Sequence, residues 1–353
     1  MEQLKADAIE LLKQLIRITS FSKTEDKTAD AIASFLEEKG VQTNRFYNNV
    51  WATNKYFDPA KPTLLLNSHH DTVKPNAQYT KNPFEPIVED GKLYGLGSND
   101  AGGALVALMA CFLYFYDQPD LRFNIIYAAT AEEEISGEKG VEILLPQLGA
   151  IDFGIVGEPT KMDLAIAEKG LLVIDCVAHG KSGHAAREEG ENAIYKALKD
   201  IEWFRTYQFP KVSETLGPVK MSVTLIQAGV QHNVVPDSCT FTIDIRTTDK
   251  YGTQEVLEVI RQNISSVIQP RSTRLNPSSI STSHPMVQAG LQLGRAIYGS
   301  PTTSDQALMS FDTVKMGPGD SARSHTADEF IYLKEITEGI ELYIQLVNNY
   351  NQL

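Results

Sequence analysis

The sequence predicts an α/β fold in which one domain is interrupted by a smaller α+β insertion. Three observations carry that prediction. Short continuous apolar runs at 63–67 (TLLLN), 123–128 (FNIIYA) and 153–156 (FGIV) alternate with helical patterns, as strands buried on both faces of a sheet do. After Gly170 the order changes to strand, helix, two strands and helix, the pattern of a ferredoxin-like sandwich. A Ser/Thr/Pro-rich stretch at 276–283 then precedes renewed helical periodicity, so the chain is expected to return to the domain it left. The expected boundaries are 1–168 and 280–353 for the outer domain and 169–279 for the insertion.

The elements follow in order. Leu4, Ala8, Leu11, Leu12, Leu15 and Ile16 recur at helical spacing and predict an amphipathic first helix. A second helix is expected over 27–39, stopping at Gly40. The helix predicted over 102–116 lies between the first two buried strands. Within the insertion, strands are expected at 171–178, 221–227 and 239–246, helices at 192–207 and 254–265, and a last strand near 272–276. Helices at 287–297 and 333–349 complete the outer domain.

Composition narrows the function classes. The 353 residues carry a net charge of −13, which excludes the basic footprint of a nucleic-acid binder and fits an enzyme acting on a small molecule. Cys111, Cys176 and Cys239 are widely spaced in apolar stretches and read as core residues of a chain in a reducing compartment. The first 20 residues lack the apolar core of a signal peptide, and the longest apolar run, 104–115, is too short to span a bilayer. A soluble cytoplasmic protein with no membrane partner is the expectation.

Polar residues fall where ligands of α/β sheets bind. His69-His70-Asp71, Glu132-Glu133-Glu134 and Glu158 each follow one of the buried runs, and in open α/β sheets ligands sit beyond the carboxyl ends of the strands. His69, Asp100, Glu134, Glu158 and His325 would together supply two nitrogens and three carboxylates, a donor set that suits a pair of zinc-type ions sharing one carboxylate. Asp71 is placed to accept the second N–H of His69, and His70 to be structural or to face substrate. Each position also has an ordinary reading. HxD can be a hydrogen-bonded turn, Asp100 can cap the helix that follows it, three adjacent glutamates can be a solvated face, and His325 can be a loop histidine.

Eight motifs occur in a fixed order: HHD (69–71), GSNDAGG (97–103), TAEEEISG (130–137), VGEPT (156–160), GKSGHAA (180–186), NVVPD (233–237), DIR (244–246) and GPGDSARSHTADE (317–329). This set resembles the zinc aminoacylase and carboxypeptidase G family, which includes acetylornithine deacetylase and succinyl-diaminopimelate desuccinylase, over essentially the whole chain. The resemblance implies a mixed-sheet di-zinc exopeptidase-like catalytic domain carrying an inserted lid and dimerisation domain. It implies two divalent metal ions, zinc foremost and cobalt as the alternative. One would be held by His69, Asp100 and Glu158 and the other by Asp100, Glu134 and His325. It further implies that Asp71 orients His69 and that Glu133 is the general base. His184 would reach the substrate carbonyl from the partner subunit of a homodimer, and Asn233 and Arg246 would contact the substrate, Arg246 at its α-carboxylate. The implied substrate is a small N-acyl amino acid, with an acetylornithine-deacetylase-like role in arginine biosynthesis foremost. A dipeptidase or carboxypeptidase, or a desuccinylase, is the alternative. Leu96 in place of the family's usual Arg, Ala101-Gly102 after Asp100, and Glu132 in place of Asp mark a divergent branch.

Overall fold

The computed structural model describes residues 1–352. The chain forms two compact units. The first comprises Met1–Ile166, Ile280–Tyr298 and Ser304 to the C-terminus, and the second Ala167–Ser279 and Gly299–Thr303.

The first unit is an α/β layer structure built on a mixed sheet. Across it run Asn44–Phe46, Asn49–Thr53, Asn124–Thr130, Thr63–His69, Phe153–Val156, Asp312–Lys315 and Leu164–Glu168, the last being the strand along which the chain leaves the unit. Thr63–His69 is parallel to both Asn124–Thr130 and Phe153–Val156, and Asp312–Lys315 is parallel to Phe153–Val156. The flanking pairs are antiparallel. Every residue of the two central strands is buried, which explains why they read as unbroken apolar runs rather than alternations.

Helix Gly103–Phe115 covers that sheet and packs against helices Glu2–Ile16 and Leu333–Gln352. The stretch Ser98–Phe115 is long and apolar enough to cross a membrane by composition, yet 83% of it is buried inside the protein. Its hydropathy is that of a helix enclosed by its own fold. Leu64, Leu65 and Leu66 are fully buried, so truncating any one to alanine would cost about 2–5 kcal/mol.

The second unit is β-α-β-β-α-β. Its strands Gly170–His179, Lys220–Ala228, Ser238–Thr247 and Val267–Pro270 form one antiparallel sheet in which the fourth, first, third and second lie side by side. That is the ferredoxin-like order. Asn192 caps helix Ala193–Thr206 by accepting from the Ile194 N–H at 2.9 Å.

Two elements differ from expectation. The last strand of the insertion is Val267–Pro270 rather than 272–276. Pro270 suits the end of an edge strand, and Leu275 is buried in the following loop with its carbonyl accepting from Leu171. The helix expected over 287–297 is Pro285–Gln292. Gly294, at φ +72°, turns the chain back, with Gly294 N–H donating to Leu291 and Arg295 N–H to Gly290, and Ile297–Ser300 continues as a strand.

Candidate metal centre

Three parallel strand ends and two loops supply the site. Strand Thr63–His69 ends on His69, and its neighbours Asn124–Thr130 and Phe153–Val156 end just before Glu132-Glu133-Glu134 and Glu158. Asp100 comes from the loop that opens the central helix. Gly97 there holds φ +74°, and a Cβ on Gly102 would lie 2.4 Å from the Gly97 carbonyl oxygen, so the turn requires glycine at both ends. The helix after it is not capped by Asp100, because its N-cap is Gly102 without a side-chain bond. The Asp100 carboxylate points at histidines instead.

Its two oxygens face two different imidazoles. Oδ1 lies 3.3 Å from His69 Nε2, and Oδ2 lies 3.6 Å from His325 Nε2. On the His69 side, Glu158 Oε1 is 3.8 Å and Glu133 Oε2 3.9 Å from the same Nε2. On the other side, Glu134 Oε2 is 2.9 Å from His325 Nε2. The ligand atoms of His69, Asp100 and Glu134 lie within 4.8 Å of one another, as do those of His69, Glu133 and Glu158. A tetrahedral ion with bonds of about 2.0–2.1 Å separates its ligand atoms by roughly 3.3 Å. These separations and this nitrogen and oxygen donor set therefore fit divalent cations.

The outer contacts orient the inner ones. His69 Nδ1 lies 3.0 Å from the Asp71 main-chain carbonyl and 3.4 Å from the Asp71 carboxylate. The Nδ1 proton is thereby held by Asp71, and the Nε2 lone pair is left for the centre. The Asp71 carboxylate has a further task that its spacing in the sequence did not reveal. It accepts from the main-chain N–H of Glu133 at 3.0 Å and of Glu134 at 3.2 Å, and from Ser22 Oγ at 2.7 Å. One aspartate thus orients the histidine and sets the backbone of both glutamates.

Electrostatics point the same way. Burial pushes Glu133 well above the usual carboxylate range, with Glu158 adding to the shift and His69 opposing it. Burial likewise pushes Glu158 up to about 8. The Glu134 carboxylate raises His325 to about 9. Burial disfavours a charged His69, but Glu133, Asp100, Asp71 and Glu158 outweigh it and hold the imidazolium well above its ordinary pKa. The metal-free chain therefore retains protons on groups that must lose them to bind a cation. Protons are expected to leave the centre on metal loading at pH 7. Metal affinity should rise with pH up to about 8–9, where Glu158 and His325 deprotonate, at about tenfold per pH unit for each proton displaced. Isothermal titration in buffers of different ionisation enthalpy measures the proton count, and pH-independent affinity between 6 and 8 would contradict it.

His70 faces away from this cluster. Its Nδ1 is 2.9 Å from Thr28 Oγ1 and its Nε2 2.9 Å from the Asn48 carbonyl, and burial lowers its pKa to about 4, so it is a neutral structural residue at pH 7. His184 and Asn233 belong to the second unit. Short strands Gly183–His184 and Val234–Val235 pair there, and Ala185 N–H donates to the Asn233 carbonyl at 3.0 Å, which brings both residues together on an exposed ladder. Arg246, also in that unit, directs Nε and Nη2 to Asp244 at 2.8 and 2.9 Å and Nη1 to Thr303 Oγ1 at 3.5 Å. Much of its guanidinium fork is already engaged by Asp244.

Three buried acids complete the first unit's site. Glu25, wholly buried, accepts from the Lys23 N–H, Asn48 Nδ2 and the Glu132 N–H. Asp305 accepts from Thr130 Oγ1 at 2.7 Å behind the glutamates. Glu329 grips the loop of Asp100. Nothing at Glu25 in the sequence distinguishes it from a surface acid beside the helix expected over 27–39, whereas Glu329 lies within the 317–329 motif.

The model of peptidase family M20/M25/M40 matches residues 65–349. A succinyl-diaminopimelate desuccinylase of Wolbachia pipientis subsp. Culex pipiens is 28% identical over 286 residues, covering 75% of this chain and 70% of that protein. The enzyme of the same name from Wolbachia pipientis wMel is 25% identical over an alignment 384 positions long, covering 98% of this chain and 94% of that protein. Among solved structures, the M20 family metallo-carboxypeptidase Sso-CP2 of Sulfolobus solfataricus superposes with a TM-score of 0.77 at 18% identity, covering 98% of this chain and 99% of that one. The Bacillus subtilis YXEP protein, a dinuclear metal-binding peptidase of the M20 family, gives 0.73 at 17% identity, covering 98% of each chain. With the family model spanning most of its length, the chain belongs to peptidase family M20/M25/M40 and is a metal-dependent hydrolase of linear amides.

Proposed function

We propose that the chain removes an N-acyl group from an amino acid, using two divalent ions held by His69, Asp100, Glu134, Glu158 and His325. The observation that carries this is the Asp100 carboxylate, whose oxygens face His69 at 3.3 Å and His325 at 3.6 Å. Shared in that way, it divides the donors into His69 with Glu158 and His325 with Glu134. Imidazole and carboxylate donors favour zinc, with cobalt able to substitute. Bound there, a pair of ions supplies Lewis acidity for the amide carbonyl and acidifies water near neutral pH.

The chain's own residues supply the rest. Glu133 takes the proton of the attacking water at its carboxylate and returns it to the leaving nitrogen, a transfer suited to a group whose pKa burial has raised. Asp71 holds Glu133 and Glu134 by their backbones and His69 by Nδ1, so acid, base and ligands share one support. His184 and Asn233 are substrate contacts in this proposal, on the strength of their common exposed ladder.

The acyl group is the finer question. The names of the curated relatives favour succinyl, and with it a place in the biosynthesis of diaminopimelate rather than of arginine. The acetylornithine alternative rests on the short chain, the compact inserted domain and the 304–308 and 317–329 segments. Lys220 lies directly opposite Arg246 in the second unit's sheet, and burial together with Lys220 and Arg246 lowers the pKa of Lys169. Asp244 pairs with Arg246 there, so in this proposal Lys169 and Lys220 are the cations left at that sheet end for a substrate carboxylate. Assays of N-succinyl- and N-acetyl-ornithine and -diaminopimelate alongside dipeptides, with and without chelator, test this. Metal-dependent deacylation with succinyl substrates fastest is expected, and turnover of dipeptides alone would overturn the deacylase reading in favour of a peptidase.

The same proposal includes a cytoplasmic homodimer formed through the second unit. The chain's three cysteines are buried free thiols, as a reducing compartment allows. Strand Lys220–Ala228 pairs only with Ser238–Thr247 among the described residues, and Leu225 and Ile226 on it are 60% and 53% exposed. Helix Ala193–Thr206 beside it exposes Tyr195 and Leu198. An unpaired apolar edge of this kind favours pairing with a second copy.

A further inference from the structure

Glu329 is almost wholly buried, and its carboxylate accepts from three main-chain N–H groups of one short segment. Oε2 accepts from the Gly97 N–H at 2.9 Å, and Oε1 accepts from the N–H groups of Asn99 and Asp100 at 2.8 and 2.9 Å. Its main-chain carbonyl accepts from Gly95 at 3.0 Å. Four bonds from a single residue therefore fix the backbone on which Asp100 is mounted. The neighbouring Asp328 grips a different loop, accepting from the N–H groups of Thr80 and Lys81 at 2.8 and 2.9 Å. Phe330, next in the chain, opens a strand that pairs with Lys92–Tyr94 just before the Asp100 loop.

We propose that Glu329 is a positioning residue for the metal centre, presetting the Asp100 carboxylate so that each oxygen faces its own histidine. The inference rests on the reading of Asp100 as the shared ligand. His325 stands four positions before Glu329, so residues 325–329 deliver one histidine to the centre and hold the aspartate opposite it. A carboxylate is suited to this place because it alone offers acceptors on both oxygens to three converging N–H groups. A glutamine would keep one oxygen for Asn99 and Asp100 and turn an amide N–H₂ against the Gly97 N–H. The loop would then be held at one end only, and Asp100 would lose its fixed direction while remaining chemically intact.

The test compares Glu329→Gln, Glu329→Ala and Asp328→Asn with the wild type, reading zinc dissociation constants by chelator competition, the visible spectrum of the cobalt-loaded protein, and the melting temperature of the metal-free chain. Glu329→Ala orphans three buried N–H groups and is expected to lose stability, so Glu329→Gln is the decisive variant. It should melt near the wild type without metal, bind the weaker ion about 10–100-fold less tightly, and show an altered cobalt spectrum. Asp328→Asn loosens the 80–81 loop and should lower the melting temperature with wild-type dissociation constants. Glu329→Gln with both constants within about twofold of wild type, whatever its melting temperature, overturns this inference alone. Fewer than two ions bound by the wild type overturns the reading of the centre and the inference with it.

Discussion

Replacing Glu133 by Gln should leave both metal ions bound and slow turnover by about 10²–10⁴-fold, the range spanned by general acid–base catalysis. The substitution keeps the shape of the side chain and removes only its ability to carry a proton. Glu133 is suited to that task because its side chain is only 13% exposed, and its carboxyl group lies 3.9 Å from His69 Nε2 and is pushed by burial well above the ordinary carboxylate range. Its main-chain N–H donates to Asp71 at 3.0 Å, which anchors the backbone that carries the carboxyl group. Metal content and single-turnover rate measured on the same preparation separate binding from chemistry. Turnover within a few-fold of wild type would assign the proton transfer elsewhere.

Asp100→Asn should have the opposite signature, with the metal lost first and activity falling as its consequence. The carboxylate presents Oδ1 to His69 and Oδ2 to His325, and an amide can offer a lone pair on one side only. The change also removes a negative charge that would otherwise offset two cations in a buried site. Metal content should drop below that of the wild type at equal free zinc, and added zinc should restore only part of the activity. Full occupancy with normal turnover would mean that Asp100 is not shared.

Much of this centre could be read from the chain because buried parallel strands carry their own signature. The apolar runs ending near His69, Thr130 and Val156 are conspicuous, and polar residues return where those strands leave the sheet. His69, the glutamates and Glu158 stand out for that reason. Contacts made through the backbone leave no such mark. The Asp71 carboxylate reaches the N–H groups of Glu133 and Glu134 across 62 and 63 residues of sequence, and Glu329 reaches those of Asn99 and Asp100 across 230 and 229. A main-chain donor has no residue identity, so spacing cannot disclose which acid it will meet. Local termination was hidden for a related reason. Apolar periodicity runs on past Gln292, and the helix stops because Gly294 adopts φ +72° while the Arg295 side chain is held by the carbonyls of Lys161 and Met162 and by Asp163.

Anomalous diffraction from a zinc-loaded crystal tests the shared-aspartate centre most directly. Two zinc peaks are predicted per chain, one on either side of the Asp100 carboxylate, the first beside His69 and Glu158 and the second beside His325 and Glu134. A single peak, or peaks that leave Asp100 outside their coordination, would contradict it.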